Sequence, residues 1–220
     1  MFMRRQRVKM ARYSEYLDSK AKRAFDVLVC VVMFFPALIV MAGAGLVTLL
    51  AEGRPVLFFQ RRTGKNGLPF RMAKIRTMHR WANANLRSPK SEDSEVVTGT
   101  GRFFRRHRID ELPQIFSVLS GRMSIVGPRP EIPESAAEYG RAARRRLAVR
   151  PGLTGLWQVL ADREAAISAN IGYDLYYLRR ASLRLDVKIL LLTILFVIRP
   201  NGRQRNYENG IYTYKLSVPE

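Results

Sequence analysis

The chain has 220 residues, which is long enough for one domain with a sizeable core and short for two. Its 38 lysine and arginine residues against 18 acidic residues give a net charge of +20, which requires anionic partners such as nucleic acid, anionic lipid or phosphorylated substrates. The single cysteine, Cys30, excludes an intramolecular disulfide and is predicted to be a small buried hydrophobe, and no Cys/His cluster indicates zinc.

The first predicted element is an apolar segment, Val27 to Ala51, that contains no charged residue. It is long enough to cross the hydrocarbon core of a bilayer as a helix, so one spanning helix is a possible interpretation. A cleaved signal peptide fits less well, because the run is long and continues into sequence rich in reactive side chains. Pro36 lies in the middle of the segment, where it removes a helical hydrogen bond and predicts a break.

Basic residues flank this apolar segment on both sides. They are Arg4, Arg5, Arg7, Lys9, Arg12, Lys20, Lys22 and Arg23 upstream, and Arg54, Arg61, Arg62 and Lys65 downstream. Because lysine and arginine favour the cytoplasmic side of a membrane, a spanning helix would place one of these clusters outside. A re-entrant helix that is broken at Pro36 and leaves by the face it entered keeps both clusters inside. The sequence leaves both courses open.

The next stretch, "PVLFFQRRTGKNGLPFRMAKIRTM", predicts two β-strands joined by a turn at Asn66-Gly67. Residues 85–95 are polar and include Pro89, which predicts a loop.

Two adjacent acids, Asp110 and Glu111, directly follow a basic run in "RFFRRHRIDELPQIFSVLSG". Apolar residues from Leu112 onward follow helical spacing, and Gly121 is a plausible stop. Because Pro113 favours the first helical turn, we expect the acids at or just before a helix N-terminus, which attracts phosphate and keeps a carboxylate ionised. The run of cations indicates either a solvated salt-bridge surface or a phosphate site.

Two loops follow this helix. In "SIVGPRPE", Arg129 lies between Pro128 and Pro130, which hold the backbone stiff, so its guanidinium would lose little entropy on gripping a phosphate. In "RPGLTGLWQ", Gly152 and Gly155 would let a ligand approach the backbone. Each loop is equally compatible with a plain surface turn, and neither matches a P-loop or a dinucleotide-binding motif.

The last third of the chain carries a second apolar run, "LRLDVKILLLTILFVIRP", which Asp186 and Lys188 interrupt. It predicts an interfacial or core helix and not a span. The helix-compatible stretch Arg141 to Arg150 adds positive charge, and each cation near an anionic membrane contributes about 1 kcal/mol to binding it. The tail "YENGIYTYKLSV" is compatible with a short strand.

Taken together, these motifs resemble the bacterial sugar transferase family, the monotopic polyprenyl-phosphate phosphoglycosyl transferases. The resemblance extends from Lys22 to Arg199, and its most specific part is "DELPQ" followed at fixed spacing by "SIVGPRP". It implies an α+β fold with a membrane-anchoring, proline-broken re-entrant helix, a small catalytic domain of mixed helix and strand, and interfacial amphipathic helices. We assign 1–53 to the basic segment and re-entrant helix, 54–200 to the catalytic domain and 201–220 to the tail.

The resemblance also implies a reaction. A nucleoside diphosphate sugar, usually a UDP-sugar, transfers its sugar-1-phosphate to polyprenyl (undecaprenyl) phosphate and releases UMP, through a phosphosugar on an aspartate and with Mg²⁺. This step begins lipid-linked glycan assembly for exopolysaccharide, capsule, O-antigen or glycoprotein glycans. The implied location is the cytoplasmic face of the bacterial inner membrane, among anionic lipids. Downstream glycosyltransferases and a homodimer are further expected partners, and nucleic acid is not.

By position in the family motifs, Asp110 is the nucleophile and Glu111 its partner, and both are candidate Mg²⁺ ligands. The resemblance places the cations Lys74, Arg105 and Arg129 nearest the substrate phosphate. Further candidates for binding the nucleotide or sugar are Arg76, Pro128, Arg150, Gly152, Thr154, Gly155 and Gln158. Because cations offset the repulsion between an anionic nucleophile and an anionic diphosphate, the family chemistry explains the basic run before the acids.

The chain departs from the family pattern in three places. Many relatives have Ser-Pro where this chain has Phe35-Pro36, Thr-Ser-Leu where it has His107 to Ile109, and an "NGR"-like stretch where it has Leu160 to Arg163. The first departure affects the helix break, and the last affects the choice of sugar or nucleotide.

A basic membrane-associated protein that binds nucleic acid, or a membrane scaffold, is the alternative function, but neither explains the paired acids.

Overall fold

A computed structural model of the chain describes residues 13–82, 94–160 and 167–198. The predicted loop at 85–95 for the most part, and the predicted tail strand, lie outside these residues. The helices are α1 (Lys20–Glu52), α2 (Gly99–Arg106), α3 (Ile115–Leu119), α4 (Pro133–Ala137), α5 (Arg141–Arg144), α6 (Leu156–Leu160), α7 (Ile167–Arg180) and α8 (Leu183–Ile198). The strands are β1 (Leu57–Thr63), β2 (Pro69–Ile75), β3 (Ser124–Val126) and β4 (Gly152–Thr154). Short 3₁₀ helices are Glu15–Asp18, Lys65–Gly67, Ile109–Gln114 and Arg145–Ala148. The mixture of helices and strands agrees with the coarse fold prediction.

Helix α1 has 33 residues, so it is about 50 Å long. Its N-terminus is capped by the Ser19 hydroxyl, which accepts a hydrogen bond from the Lys22 amide at 3.1 Å, and it ends at Gly53, which has φ of 70°. Pro36 lies inside this single helix and does not divide the segment into two helices. One proline removes one hydrogen bond, and a helix can accommodate that loss locally. The predicted re-entrant course stays a prediction.

The two long faces of α1 have different surroundings. Its buried residues are Lys22, Asp26, Cys30, Ala37, Ala44 and Thr48, which share one face along the whole helix. Exposed apolar side chains on the rest of its surface include Leu28, Val32, Phe35, Ile39 and Leu50. Among the described helices, α1 alone has the length and apolar composition needed to cross a membrane. The buried position of Cys30 confirms its predicted role as a small hydrophobe.

Strands β1 and β2 form the predicted antiparallel hairpin. Asn66 (φ 58°) and Gly67 (φ 79°) both have left-handed backbone conformations at the turn, as an Asn-Gly pair allows. Lys74 lies opposite Phe58 in this hairpin. The hairpin therefore presents Lys74 one residue before the end of β2, next to the 3₁₀ helix that carries the two acids.

Strands β3 and β4 pair in parallel and bring two backbones unusually close together. A Cβ atom added at Gly152 would lie 2.1 Å from the Gly127 amide nitrogen, and one added at Gly155 would lie 2.3 Å from the Gly127 carbonyl oxygen. These glycines were predicted to admit a ligand. In the structure, the absence of a side chain at these glycines lets the backbone at Gly127 pack directly against them, because no Cβ atom fits between the two backbones.

One apolar core contains side chains from near both ends of the described chain. It includes Leu17, Cys30, Ala37, Val118, Met123, Tyr177, Leu178 and Ile189. Helix α1 contributes side chains to this core together with β3, α3, α7 and α8. Helix α8 buries Ile189 and Asp186 and exposes apolar side chains such as Leu191 and Leu195, which agrees with the prediction of an interfacial or core helix of less than spanning length.

A polar network lies inside this core. The Lys22 ammonium lies 2.6 Å from the Asp186 carboxylate and 3.2 Å from that of Asp26, and all three side chains are buried. Asp26 also accepts hydrogen bonds from the Ser124 hydroxyl at 2.9 Å and the Ile125 amide at 3.0 Å. Lys22 is one of the basic residues that flank the apolar segment, but its charge neutralises acids inside the protein.

Candidate active site

The two acids lie in the first turn of the 3₁₀ helix Ile109–Gln114. Arg108 precedes this helix with a left-handed backbone (φ 57°), which turns the chain sharply after α2. The prediction placed the helix start near Pro113. The helix starts earlier because Arg108 makes the turn, so Asp110 and Glu111 are inside the first turn and not before it.

Glu111 is held by three cations. Its Oε1 atom lies 3.1 Å from Lys74 Nζ and 3.3 Å from Arg129 Nη2, and its Oε2 atom lies 3.2 Å from Arg108 Nη1. The carboxylate is 9% exposed, so these charge-assisted contacts are screened little by water. Lys74 and Arg129 are thereby brought together as predicted, whereas Arg108 was not among the predicted site residues.

Asp110 differs from its neighbour. It is 6% exposed, and no donor in the described part of the chain lies within hydrogen-bonding distance of its carboxylate. Arg105 approaches the same region from α2, where its Nε donates to the Thr77 hydroxyl at 2.9 Å and its positive charge acts on Asp110. The site therefore contains one carboxylate occupied by cations and one that is available to react.

The pKa values of the two acids are shifted in opposite directions. Burial raises the pKa of Asp110 to about 6, with Lys74 acting against this shift and Glu111 adding to it. Burial also acts to raise the pKa of Glu111, but the three cations that contact it outweigh burial and hold the pKa well below its usual range. The helix-terminus argument predicted a stabilised anion at Asp110. The upward shift has the opposite sign, although a group with a pKa of about 6 is still mostly ionised at pH 7.

The loop that carries Arg129 is fixed at four consecutive carbonyl groups, from Pro128 to Glu131. In order, these accept from the Gly152 amide (2.8 Å), Arg146 Nη2 (2.9 Å), Arg62 Nη1 (3.3 Å) and the Thr63 amide (2.7 Å). The prediction that this loop is shaped before a ligand arrives rested on its prolines. The structure adds four donors from three other segments of the chain, because Arg62 and Thr63 both belong to β1.

Several predicted nucleotide- or sugar-binding residues point elsewhere. Arg76 donates to the Glu52 and Gly53 carbonyls at the end of α1 (2.8 and 2.7 Å), and Arg150 Nε donates to the Gly121 carbonyl at 2.9 Å. The other side chains are Thr154, whose hydroxyl pairs with that of Thr193 at 2.7 Å, and Gln158, which donates to the Leu153 carbonyl at 3.3 Å. These contacts leave their ligand-binding roles as predictions.

A small cavity beside Glu111 adds residues that the sequence did not indicate. Its lining includes Arg62, Gln114, Arg129, Gly152 and Leu153. The Gln114 side-chain nitrogen and Arg62 Nε are buried and have no partner in the described residues. Gln114 lies three residues after Glu111 and ends the "DELPQ" motif, so its position in that motif was the only available signal.

Mg²⁺ is implied by the resemblance, and the contacts of the two acids indicate which one fits it. Mg²⁺ is commonly held by one or two carboxylates together with substrate phosphate oxygens. Asp110 fits this pattern, whereas both oxygens of Glu111 already face cations. Within the described residues, no group of three or more His, Cys, Asp or Glu side chains is arranged to hold a metal. The chain thus fits Mg²⁺ through Asp110 and a bound substrate, and Glu111 as a second ligand stays a prediction.

Comparison with known families decides the classification, because residues 17–200 match the model of the bacterial sugar transferases. The chain belongs to the bacterial sugar transferase family. The predicted family and the predicted enzyme class, a sugar transferase, are confirmed. The matched residues contain α1, both acids and all four described strands, so the match includes the membrane-compatible helix of this chain.

Three curated relatives illustrate the similarity of this sugar transferase to known proteins. The exopolysaccharide production protein ExoY of Sinorhizobium fredii is 32% identical over 201 residues, which cover 83% of this chain and 87% of the relative. The UDP-glucose:undecaprenyl-phosphate glucose-1-phosphate transferase of Klebsiella pneumoniae is 37% identical, over 79% of this chain and 39% of the relative. The UDP-N-acetylgalactosamine-undecaprenyl-phosphate N-acetylgalactosaminephosphotransferase of Aeromonas hydrophila is 37% identical, over 82% and 44%. The chain therefore spans most of the first relative and less than half of the other two.

Proposed function

We propose that this sugar transferase moves a sugar-1-phosphate from a UDP-sugar to polyprenyl phosphate, releases UMP, and works through a covalent phosphosugar on Asp110. The observation that carries the proposal is the contrast between the two acids. Asp110 has no donor among the described residues, and Glu111 beside it gathers three cations. Relatives with matching sequence are named as UDP-sugar:undecaprenyl-phosphate transferases, which supports the same substrates here.

In the first half-reaction, an oxygen of the Asp110 carboxylate attacks the phosphorus that bears the sugar. The new carboxyl–phosphate bond forms as the bond from that phosphorus to the oxygen of UMP breaks, so UMP leaves with the electron pair. A carboxylate with a pKa of about 6 is deprotonated at pH 7 and requires no base. Lys74, Arg105 and Arg129 would offset the negative charge of the diphosphate.

In the second half-reaction, a phosphate oxygen of the polyprenyl phosphate attacks the same phosphorus. The bond to Asp110 breaks, the carboxylate is restored, and polyprenyl-diphosphate-sugar is the product. Glu111 is a poor base because cations hold its pKa low. We assign it instead to keeping Lys74, Arg108 and Arg129 in place around the phosphorus. Mg²⁺, when bound through Asp110 and the substrate, would supply further positive charge to the phosphate oxygens.

We also propose that both ends of α1 lie on the cytoplasmic face of the membrane, so that α1 is a monotopic anchor. Asp18, just before α1, forms an ion pair with Lys65, which follows α1 and β1. The Ser14 amide donates to the Leu178 carbonyl at 2.9 Å, so the chain before α1 also packs on α7. A helix that crossed the bilayer would separate Asp18 from Lys65 by about 30 Å of hydrocarbon. The same proposal locates the protein at the bacterial inner membrane, in contact with anionic lipids. It also keeps the domain boundaries that the sequence predicts.

The alternative of a nucleic-acid-binding or scaffold protein gains no support from the placement of the charges. Such a protein would present its cations on the surface. Lys22, Arg62 and Arg146 are each less than a tenth exposed and contact protein groups. These three of the 38 lysine and arginine residues are therefore used inside the fold and are not available to a nucleic acid.

The proposed function is tested by measuring nucleotide release from a panel of UDP-sugars, with the protein purified in detergent and with Mg²⁺ present. With the correct UDP-sugar alone, we expect one equivalent of UMP per protein. Continuous release should require polyprenyl phosphate. Release of UDP in place of UMP would show direct glycosyl transfer and would overturn the proposal, as would the absence of any release from every donor.

A further inference from the structure

Arg146 lies in the basic stretch that was predicted to add surface charge, but it is only 2% exposed. Its Nε donates to Asp174 Oδ2 at 2.7 Å, its Nη1 to the Tyr139 hydroxyl at 2.6 Å and its Nη2 to the Arg129 carbonyl at 2.9 Å. One planar guanidinium thus joins α7, the end of the α4 segment and the loop of the phosphate-facing Arg129. A buried charge needs such contacts, because an unpaired one is costly.

We propose that Arg146, held by Asp174, is a positioning residue that fixes the backbone of Arg129 and so directs the Arg129 side chain toward Glu111 and the substrate phosphate. For its kinetic consequences this rests on the proposed function. Pro128 fixes its own φ angle, and Pro130 restricts the ψ angle of Arg129 to the extended region, so the prolines leave rotation about the Arg129 N–Cα bond as the less restricted torsion. A hydrogen bond to the Arg129 carbonyl restricts that rotation, because it fixes the orientation of the following peptide group.

Asp174 gives this contact its rigidity. It is 2% exposed and lies on α7, a helix of 14 residues whose neighbouring Tyr177 and Leu178 are also buried. The Tyr177 hydroxyl donates to Asp186 at 2.7 Å, and its oxygen lies 3.1 Å from the Val126 carbonyl oxygen, in the strand that leads into the Arg129 loop. Helix α7 therefore contacts this part of the chain at two points, at Val126 and, through Arg146, at Arg129. Neither contact includes a group that would touch the substrate.

The proposal predicts a coupling that a merely structural role would not produce. Lysine at position 146 keeps the charge but cannot reach Asp174, Tyr139 and the Arg129 carbonyl in one plane. Arg146→Lys should lower kcat/KM by about tenfold, as expected when a charge-assisted hydrogen bond is lost. If Arg146 acts only through Arg129, the same change should have almost no effect on kcat/KM in an Arg129→Ala background.

The first test is therefore a double-mutant cycle on UMP release with polyprenyl phosphate present. Arg141→Lys is the matched control, because Arg141 is an exposed arginine of the same stretch. Arg141→Lys should keep full activity in both backgrounds. A tenfold loss from Arg146→Lys in the Arg129→Ala background, equal to its loss in the wild type, would overturn the proposal.

The second test does not depend on activity. Hydrogen exchange of the folded protein should speed up in peptides covering 127–132 on Arg146→Lys, and should not change in the β1–β2 hairpin. If Arg146→Lys does not fold, Tyr139→Phe removes one contact of the guanidinium and serves as the milder variant, with a smaller increase in the same peptides. Unchanged exchange at 127–132 in a folded variant would overturn the proposal. Faster exchange there in a protein that releases no UMP would refute the proposed function and leave the positioning role standing.

Discussion

The Lys22 ammonium and the Asp186 carboxylate lie 2.6 Å apart, although 163 residues separate them in the chain, and neither side chain is accessible to solvent. Lys22 belongs to the first turn of α1, and Asp186 to the first turn of α8. The contact therefore fixes the two long apolar helices, α1 and α8, against each other at their N-termini. Tyr16 and Tyr177 donate to the same Asp186 carboxylate, at 3.0 and 2.7 Å, so its oxygens are well satisfied.

Replacing Lys22 should destabilise the protein. Lys22→Met leaves the Asp26 and Asp186 carboxylates buried without a cation, which typically costs 3–5 kcal/mol. In a protein of this size we expect the melting temperature in detergent to fall by roughly 10 °C. Lys20→Met, at an exposed neighbouring position, is the control and should melt like the wild type. Equal melting temperatures for both variants would show that the buried ion pairs contribute little to stability.

Asp110→Asn should abolish turnover, with a loss of at least about three orders of magnitude, because the amide cannot form the covalent intermediate. Glu111→Gln should still form the adduct, more slowly, because it disturbs the cations and leaves the nucleophile. Intact-protein mass spectrometry after incubation with the donor alone would detect the phosphosugar adduct. An adduct that forms on Asp110→Asn and maps to Glu111 would reverse the assignment of the two acids.

Acid should inhibit the first half-reaction. Because the pKa of Asp110 is raised to about 6, its reactive ionised form predominates above that pH and is lost below it. The single-turnover rate of UMP release should be nearly constant from pH 7 to 8 and should fall about tenfold per pH unit well below pH 6. A rate that stays constant down to pH 4.5 would show that Asp110 does not titrate near pH 6 in the reacting complex, which is the result expected if Mg²⁺ bound to Asp110 outweighs the effect of burial. Circular dichroism at each pH would separate this effect from unfolding.

Arg129→Lys should lower kcat/KM by at least about tenfold, and Arg129→Ala should lower it further. Lysine retains the charge, but it lacks the planar pair of donors that an arginine offers to a phosphate. Arg122 is an exposed arginine on the other side of β3, and Arg122→Lys is the control. Melting temperatures should stay near that of the wild type, since the Arg129 side chain is one-third exposed. Full activity of Arg129→Lys would contradict the proposed contact between the Arg129 guanidinium and the phosphate, and unfolding of both Arg129 variants would show a structural role.

The topology of α1 can be tested with introduced cysteines after Cys30→Ser. Glu15→Cys and Leu68→Cys lie at exposed positions before and after α1. Both should be protected from a membrane-impermeant thiol reagent added outside intact cells, and both should react in inverted vesicles. Asp18→Cys with Lys65→Cys should also be joined by a short bismaleimide in membranes. Labelling of only one site from outside would show that α1 spans the membrane.

The parts of the structure that the sequence predicts well are those determined by local chemistry. The Asn66-Gly67 turn, the pairing of its flanking strands and the helix-start position of the acids all follow from residues within about ten positions of one another. The roles of Lys22 and Arg146 do not, because their partners Asp186 and Asp174 are distant in the chain.

Composition alone also misleads at these positions. In a basic stretch, every arginine suggests surface charge, and only the fold shows which one is buried. The glycines at 152 and 155 illustrate the same limit, since their need for a small residue was predictable and the backbone that approaches them was not.

The shared core has a practical consequence for anyone who wishes to work with this enzyme in water. Because Cys30 and Ala37 of α1 pack in one cluster with Val118 and Tyr177, removing α1 would expose the apolar core that they share. It would also remove Asp26, which accepts from the Ser124 hydroxyl and the Ile125 amide. Helix α1 is thus part of the enzyme's core and cannot be removed as a separate membrane anchor. Soluble versions should be sought by making the outward apolar positions of α1 polar, with its inward face left unchanged.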